Sequence, residues 1–540
     1  MRGATRTKFA VGAIAIALAA TACSSGSSSS SGSSGDGIVA ASWGAPQNPL
    51  MPGDTNEIYG STVIQNILTG LVSYDPKTTK LIYENAESIT STDGQNYTIK
   101  LKPGWKFTDG TPVTAASYVD AWNYAALSTN AQLNSYYFSV IKGYGAVAPT
   151  SGKPTATTLS GLKVVNDTTF TVALNQKFAT WPQSLGFLVY DPLPTSFFKS
   201  PTTWAKNPVG DGEYKISSYT PNQAMNLVPN ADYQGTQKVQ NKGVDLKVYT
   251  SPTSAFADLQ SNKLDIDNNI PTSNLTTAKT TLNGRFATSP SSETVYMGFP
   301  MYQSNWNTAG ARLVRQGLSM AIDRPTITKK ILNGIATPAT DFTSPVLGVD
   351  GGYKAGLCGS VCDYNPTEAK KMIEEGGGIP GGQLTLSYNS DGPNADWINA
   401  VCNSINNTMG SNTACVGKPY TTFASFRTAV TNKQMTSAFR SAWSMDYPLA
   451  SDYLQPLFTT SGSSNDSHYS NSTVDSLVSL AFTQDTPQSN ADLQKAEVQL
   501  THDMPMIPLW YQDNAYGWSA NAKNVSMDAF GVPVYYAITK

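Results

Sequence analysis

Asp93 to Trp122 reads DGQNYTIKLKPGWKFTDGTPVTAASYVDAW. Tyr97, Ile99 and Leu101 alternate with Thr98, Lys100 and Lys102, the period of a half-buried strand. Pro103-Gly104 is a turn dipeptide, because proline presets φ and glycine accepts a positive one. Trp105 and Phe107 then share one face of a second short strand, and Asp109-Gly110 turns the chain again. Thr114 is a suitable N-cap, and Ala115, Tyr118, Val119 and Trp122 have helical spacing over Ala115 to Tyr124. Taken alone, these residues predict an exposed hairpin feeding a helix, with no catalytic chemistry.

As an ordered whole the stretch resembles the signature of the solute-binding proteins that serve oligopeptide, dipeptide and nickel ABC importers, most of all actinobacterial oligopeptide-binding lipoproteins. Further segments continue the likeness. Asn207 to Tyr214, NPVGDGEY, resembles the family's N-P-V-G-x-G-x-Y. Asn230 to Gly235 resembles N-x-x-Y-x-G, and LVRQGLSMAIDR, ending at Arg324, resembles V-R-Q-A-L-x-x-A-I-D-R. Glu497 to Tyr511, EVQLTHDMPMIPLWY, resembles the closing segment. The likeness runs from Asn48 to Tyr536. It implies an α/β, two-lobed clamshell like the periplasmic binding proteins (class II, cluster C), with an extra inserted subdomain. The expected division is a first lobe over 38–80, 205–291 and 510–540, an insert over 81–204, and a second lobe over 292–509. Two crossings, near Ser292 and Leu509, would form a hinge.

The N-terminus reads as an export signal. Arg2, Arg6 and Lys8 precede an apolar run from Phe9 to Ala20, too short to span a bilayer as a helix. Ala20-Thr21-Ala22-Cys23 resembles a lipobox, with alanine at the usual leucine position, so Cys23 is the expected lipidation site after a signal peptide over 1–22. Ser24 to Gly37 is nearly all serine and glycine, a tether with a mean reach of about 20 Å. The protein is therefore expected outside the cell, held to the outer face of the membrane by lipid alone.

A net charge of −2 gives no electrostatic case for a nucleic-acid partner. Four cysteines remain, Cys358, Cys362, Cys402 and Cys415. In an oxidising compartment an even number argues for disulfides, and the local pairs are favoured over the other connectivities and over a four-thiolate zinc site. No metal or cofactor is expected. The two histidines, His468 and His502, sit in no metal spacing, and no G-x-S-x-G elbow or nucleotide loop is present, so nothing points to an enzyme. NPVGDGEY and Gly376 to Gly382 fit neither phosphate-binding pattern. The two glycines of NPVGDGEY are expected to allow a tight bend.

The resemblance also implies a ligand site. Trp443, Asp446 and Tyr447 match the family's W-x-x-D-Y, in which the aspartate pairs with the α-ammonium of a peptide. Arg440 aligns with a position that can meet a peptide carboxylate. Ser441, Ala442 and Ser444, with Asn56, Glu57 and Ile58, match two backbone edges between which peptides lie. Phe423 and Trp443 could wall side-chain pockets. Arg315, Asp323 and Arg324 are expected to be structural caps and ion pairs. The implied function is capture of oligopeptides in the interlobe cleft, by a monomer, and delivery to a permease driven by cytoplasmic ATPases. Nickel chelates, haem, oligosaccharides or peptide signals are the rival ligands.

Overall fold

The computed structural model describes residues 37–540. The leader, Cys23 and the tether up to residue 36 lie outside the described residues. The backbone of the molecule is an eleven-stranded sheet. Its path runs from Cys415–Tyr420 through Leu384–Asn389, Phe439–Trp443, Phe286–Gly298, Met506–Trp518, Ile266–Asp267, Ile38–Trp43, Gly243–Val248 and Ala224–Pro229 to Tyr214–Thr220, with Ala336–Pro338 branching from Met506–Trp518.

Phe286–Gly298 and Met506–Trp518 are antiparallel and long enough to belong to both halves. Phe286–Pro290 pairs with Asp513–Gly517, and Thr294–Gly298 with Met506–Tyr511. The register shifts between Pro290 and Thr294, so Ser291 to Glu293 leave the ladder. On either side each half builds a parallel unit around a crossover helix. In one, Ile38–Trp43 lies between Gly243–Val248 and Ile266–Asp267, which helix Pro252–Gln260 connects. In the other, helix Ala395–Met409 connects Leu384–Asn389 to Cys415–Tyr420. The halves have separate apolar cores: Val39, Ile64, Trp122, Tyr214 and Val244 belong to the first, Tyr296, Leu318, Leu386, Leu454 and Trp510 to the second.

The opening stretch folds into the first core. Asn96–Leu101 is a strand with Tyr97, Ile99 and Leu101 buried, in a four-stranded sheet with Ala86–Thr90, Leu162–Asn166 and Thr169–Ala173. Helix Ala115–Ala126 begins with a Thr114–Ser117 capping box and buries Tyr118, Val119 and Trp122. One expectation fails here. Trp105 and Phe107 form no strand, only an isolated bridge between Lys106 and Pro112, while the turn residues Pro103, Gly104, Asp109 and Gly110 are exposed. Both aromatic rings are buried in the first core, so side-chain burial rather than a ladder fixes this turn.

Local boundaries differ for identifiable reasons. Residue spacing alone predicts the first helix over Ser61 to Leu71, but it is Ile58–Ile67, because the Glu57 carboxylate accepts the N–H groups of Tyr59 at 2.7 Å and Gly60 at 2.8 Å and starts it early. Gly210 and Gly212 do not make a positive-φ bend. They let the chain pass over the end of that helix, where an added Cβ on Gly210 would lie 1.8 Å from the Ile67 carbonyl oxygen. Helix Ala309–Met320 buries Val314 and Arg315, while Leu313 is only half-buried. Asp323 caps the next turn through the Thr326 N–H, as expected. Arg315 and Arg324 form no ion pair among the described residues. Arg315 donates to the carbonyls of Met504, Asp503 and Trp306, and Arg324 to those of Pro508, Ser319 and Cys362. Each guanidinium thereby satisfies backbone carbonyls of helix ends and loops, with Pro508 the one strand residue among them. The cysteines join as Cys358–Cys362 and Cys402–Cys415, the second tying helix Ala395–Met409 to the strand it feeds.

Candidate ligand cleft

Strand Phe439–Trp443 positions the candidate site. One edge pairs with Thr294–Gly298. The other pairs with Leu384–Asn389 only at Phe439, so Arg440 to Trp443 have no strand neighbour on that side. Alternation puts Arg440 and Ala442 on one face and Ser441 and Trp443 on the other.

Beyond Trp443 the chain turns, and helix Ser451–Phe458 follows. The turn brings Asp446 and Asp452 together. Asp452 is 3% exposed and accepts the Asp446 backbone N–H at 2.8 Å and the Trp443 Nε1–H at 3.4 Å. Burial pushes the Asp446 carboxyl up to about 6, against the lowering effect of the Tyr137 hydroxyl within hydrogen-bond reach. Burial raises Asp452 further, and the Asp446 charge adds to it. A cavity of about 290 Å³ lies over the pair. Trp443, Asp446, Tyr447 and Asp452 form one wall, and Tyr136, Tyr137, Phe178 and Tyr190 form the other. Among the described residues no lysine, arginine or histidine lines it. An organic ammonium entering this space would meet two carboxylates and several aromatic faces, the environment that favours a cation.

A second cavity, about 370 Å³, lies beside the strand break. Ile58 and Tyr59 face Ser444 across it, with Asn268, Asn269 and Glu293 between. Burial raises the Glu293 carboxyl, and the Arg440 charge opposes the rise. Arg440 itself lines neither cavity. Its Nε donates to Asn389 Oδ1 at 2.7 Å, and its guanidinium lies 5.1 Å from the Phe423 ring centre and 5.3 Å from that of Phe426. Phe423 is 49% exposed and packs on this arginine rather than on either cavity. Asn56 accepts an amide bond from Asn48 at 2.7 Å, and the Glu57 side chain is occupied as a helix cap. Ser441 and Ala442 lie in the ladder opposite Tyr296 and Val295.

The structure thus gathers Trp443, Asp446 and Tyr447 in one cavity and Ile58 and Ser444 in the next. It keeps Arg440, Phe423, Ser441, Ala442, Asn56 and Glu57 outside both. Sequence reading missed Asp452, the Tyr136–Tyr137 pair and Glu293. Asp452 sits six residues past Asp446, and two acidic residues flanking a proline turn were the available signal. The tyrosines carried none, being contributed by a distant part of the chain.

The halves also touch away from the shared strands. The Ala179 N–H donates to the Phe482 carbonyl at 2.7 Å, the Phe178 and Phe482 rings are 4.5 Å apart, and Lys80 reaches Asp350 at 3.5 Å.

A profile described as "Bacterial extracellular solute-binding proteins, family 5 Middle" matches residues 80–465. The chain belongs to this family. The oligopeptide-binding protein OppA of Bacillus subtilis is 24% identical, over 90% of this chain and 89% of its own length. The periplasmic murein peptide-binding protein MppA of Escherichia coli is 26% identical, over 84% and 83%. Among solved structures, Haemophilus influenzae OppA in complex with the peptide RPPGFSPFR superposes with a TM-score of 0.74 at 21% identity, over 94% of this chain and 99% of that one. The family-5 protein is therefore a two-lobed solute-binding protein, not an enzyme, and the family is extracellular. Among the described residues no helix is long and apolar enough to cross a membrane.

Proposed function

We propose that this family-5 protein captures short peptides between its lobes and presents them to an ABC permease. The observation that carries the reading is the Asp446–Asp452 pair, a half-buried and a buried carboxylate under a cavity that no lysine, arginine or histidine among the described residues lines. Burying such groups unpaired is costly, and a ligand ammonium offsets the cost. Asp446 is the proposed partner of the peptide N-terminus, with Trp443 and Tyr447 beside it. The unpaired edge of Arg440 to Trp443 offers main-chain bonds that are indifferent to side chains. Asn56 to Ile58 are the proposed opposite edge, and Arg440 the proposed partner of the carboxylate end, with Phe423 behind it. The relatives point the same way, since B. subtilis OppA and E. coli MppA are both named as peptide-binding proteins.

Lobe I is the proposed body formed by 38–80, 205–291 and 510–540 with its insert at 81–204, and lobe II is 292–509. The proposed hinge is Ser291 to Glu293 with the facing Tyr511 to Asp513. Ligand favours the closed form to the extent that both lobes touch it. Cys23 is the proposed lipid anchor, holding a monomer at the outer face of the membrane.

Calorimetry on protein denatured and refolded to strip carried ligand tests the ligand class. Tri- to pentapeptides, nickel–histidine and cello-oligosaccharides are titrated in turn. Heat from peptides alone is expected. Silence to peptides with a signal from a sugar or metal chelate would remove the peptide reading.

A further inference from the structure

A third cavity, about 160 Å³, lies inside the first lobe. Phe530 and Tyr535 wall both it and the cavity holding Ile58 and Ser444, so the two adjoin. Its lining is acidic and aromatic: Glu84, Asp191, Glu213 and Asp528 with Tyr74 and Tyr233. Among the described residues no lysine, arginine or histidine lines it. Glu84 is 1% exposed. Its Oε1 accepts Ser73 and Gln237 at 2.8 Å each, while its Oε2 has no hydrogen-bond partner among the described residues. Glu213 is 9% exposed, and its carboxylate receives no bond from another residue's side chain. Burial pushes Glu213 up to about 8, with the Glu84 and Asp211 charges adding to it, and pushes Asp528 up to about 6. Acidic side chains are almost never this buried without a compensating charge.

We propose that this cavity is a subsite for one organic cation, an ammonium or guanidinium group, opening off the ligand cleft. Three observations carry it. A buried carboxylate oxygen is left unpartnered at the wall. A second carboxylate faces the space free of side-chain donors. Aromatic rings complete the lining, as in cages that hold organic cations. The carboxylates are not grouped as ligands of a metal ion, which favours a cation that binds by hydrogen bonds and ring faces. In the sequence, Glu213 fills a variable place of the N-P-V-G-x-G-x-Y segment with an acid. The source of the cation is either a basic side chain of a peptide in the cleft, which rests on the peptide reading, or a free amine.

The test titrates stripped protein with tetrapeptides carrying lysine, arginine or norleucine at each position in turn, and separately with butylamine and butylguanidine. At one position lysine or arginine is expected to bind at least tenfold more tightly than norleucine. Glu213→Gln is expected to bring that ratio within twofold while binding the norleucine peptide as the wild type does, which also shows that the variant is folded. Glu84→Gln provides the same comparison at the other wall. Equal binding of norleucine and basic peptides at every position overturns the peptide source. If no peptide binds, the peptide reading has failed by itself. Butylamine or butylguanidine binding that Glu213→Gln abolishes then upholds the cation site with a free amine as its source, and no such binding overturns the proposal.

Discussion

Asp446 is poised near the pH at which it changes charge. Its carboxyl stands at about 6 because burial disfavours the ion. An ammonium ligand binds the ionised form, so affinity is complete above this value and is lost as pH falls through it. Peptide affinity is expected to be weaker at pH 5 than at pH 7, the carboxyl titrating together with that of Asp452. Calorimetry at both pH values checks this, with an N-acetylated peptide as the insensitive control. Tyr137 lowers the same carboxyl, so Tyr137→Phe should shift the midpoint of that profile upward and cost about 0.5–1.5 kcal/mol of binding at pH 7. A purely structural role for Tyr137 would leave the midpoint unmoved. Arg440 shows why residue roles are harder to read than positions. Its guanidinium is lowered by burial, and the Glu293 charge opposes that. It already has Asn389 as a partner, which nothing in its local sequence announces.

At the scale of elements, close approach decides more than turn geometry. The loop leading to strand Tyr214–Thr220 passes over the C-terminus of helix Ile58–Ile67, and the Gly212 N–H donates to the Ile67 carbonyl at 2.8 Å. Gly210→Ala would drive a methyl into that carbonyl, so a loss of about 1–3 kcal/mol in a denaturant melt is expected, as for other overpacked sites. An unchanged midpoint would show that the strand can shift. Elements with strict periodicity were legible in the sequence: Tyr97, Ile99 and Leu101 point inward as their alternation requires, and Tyr118, Val119 and Trp122 as their helical spacing requires. Trp105 and Phe107 were misread because two buried aromatics one residue apart look like a strand whether or not a ladder forms. Trp443, Asp446 and Tyr447 were legible as a group because they are contiguous. The wall facing them was not, because Tyr137 is brought to Asp446 only by the tertiary fold.

For the whole molecule, buried acids tie stability to pH. Asp341 and Asp211 are each pushed up to about 7 by burial, and Glu213 to about 8. In the unfolded chain these groups ionise in the ordinary carboxylate range near 4. Between that range and about pH 8 the folded state therefore holds more protons than the unfolded state, and stability falls as pH rises. The ligand-free protein is expected to melt at a higher temperature at pH 5 than at pH 8, measured by calorimetric scans in matched ionic strength. The opposite order would mean that cations reach these carboxylates. Lobe closure belongs to the same scale. The lobes share two continuous strands that break register at Ser291 to Glu293 and otherwise meet through few polar contacts near Phe482 and Asp350.

The central claim, that Asp446 holds the ammonium of a peptide between the lobes, is tested most directly by one calorimetric cycle. A tripeptide and its N-acetylated form are titrated into the wild type and Asp446→Asn at pH 7. The ammonium contact predicts that each single change weakens binding by about 1.5–3 kcal/mol and that the two together cost little more than either alone. Additive losses, or an acetylated peptide that binds as well as the free one, would contradict it.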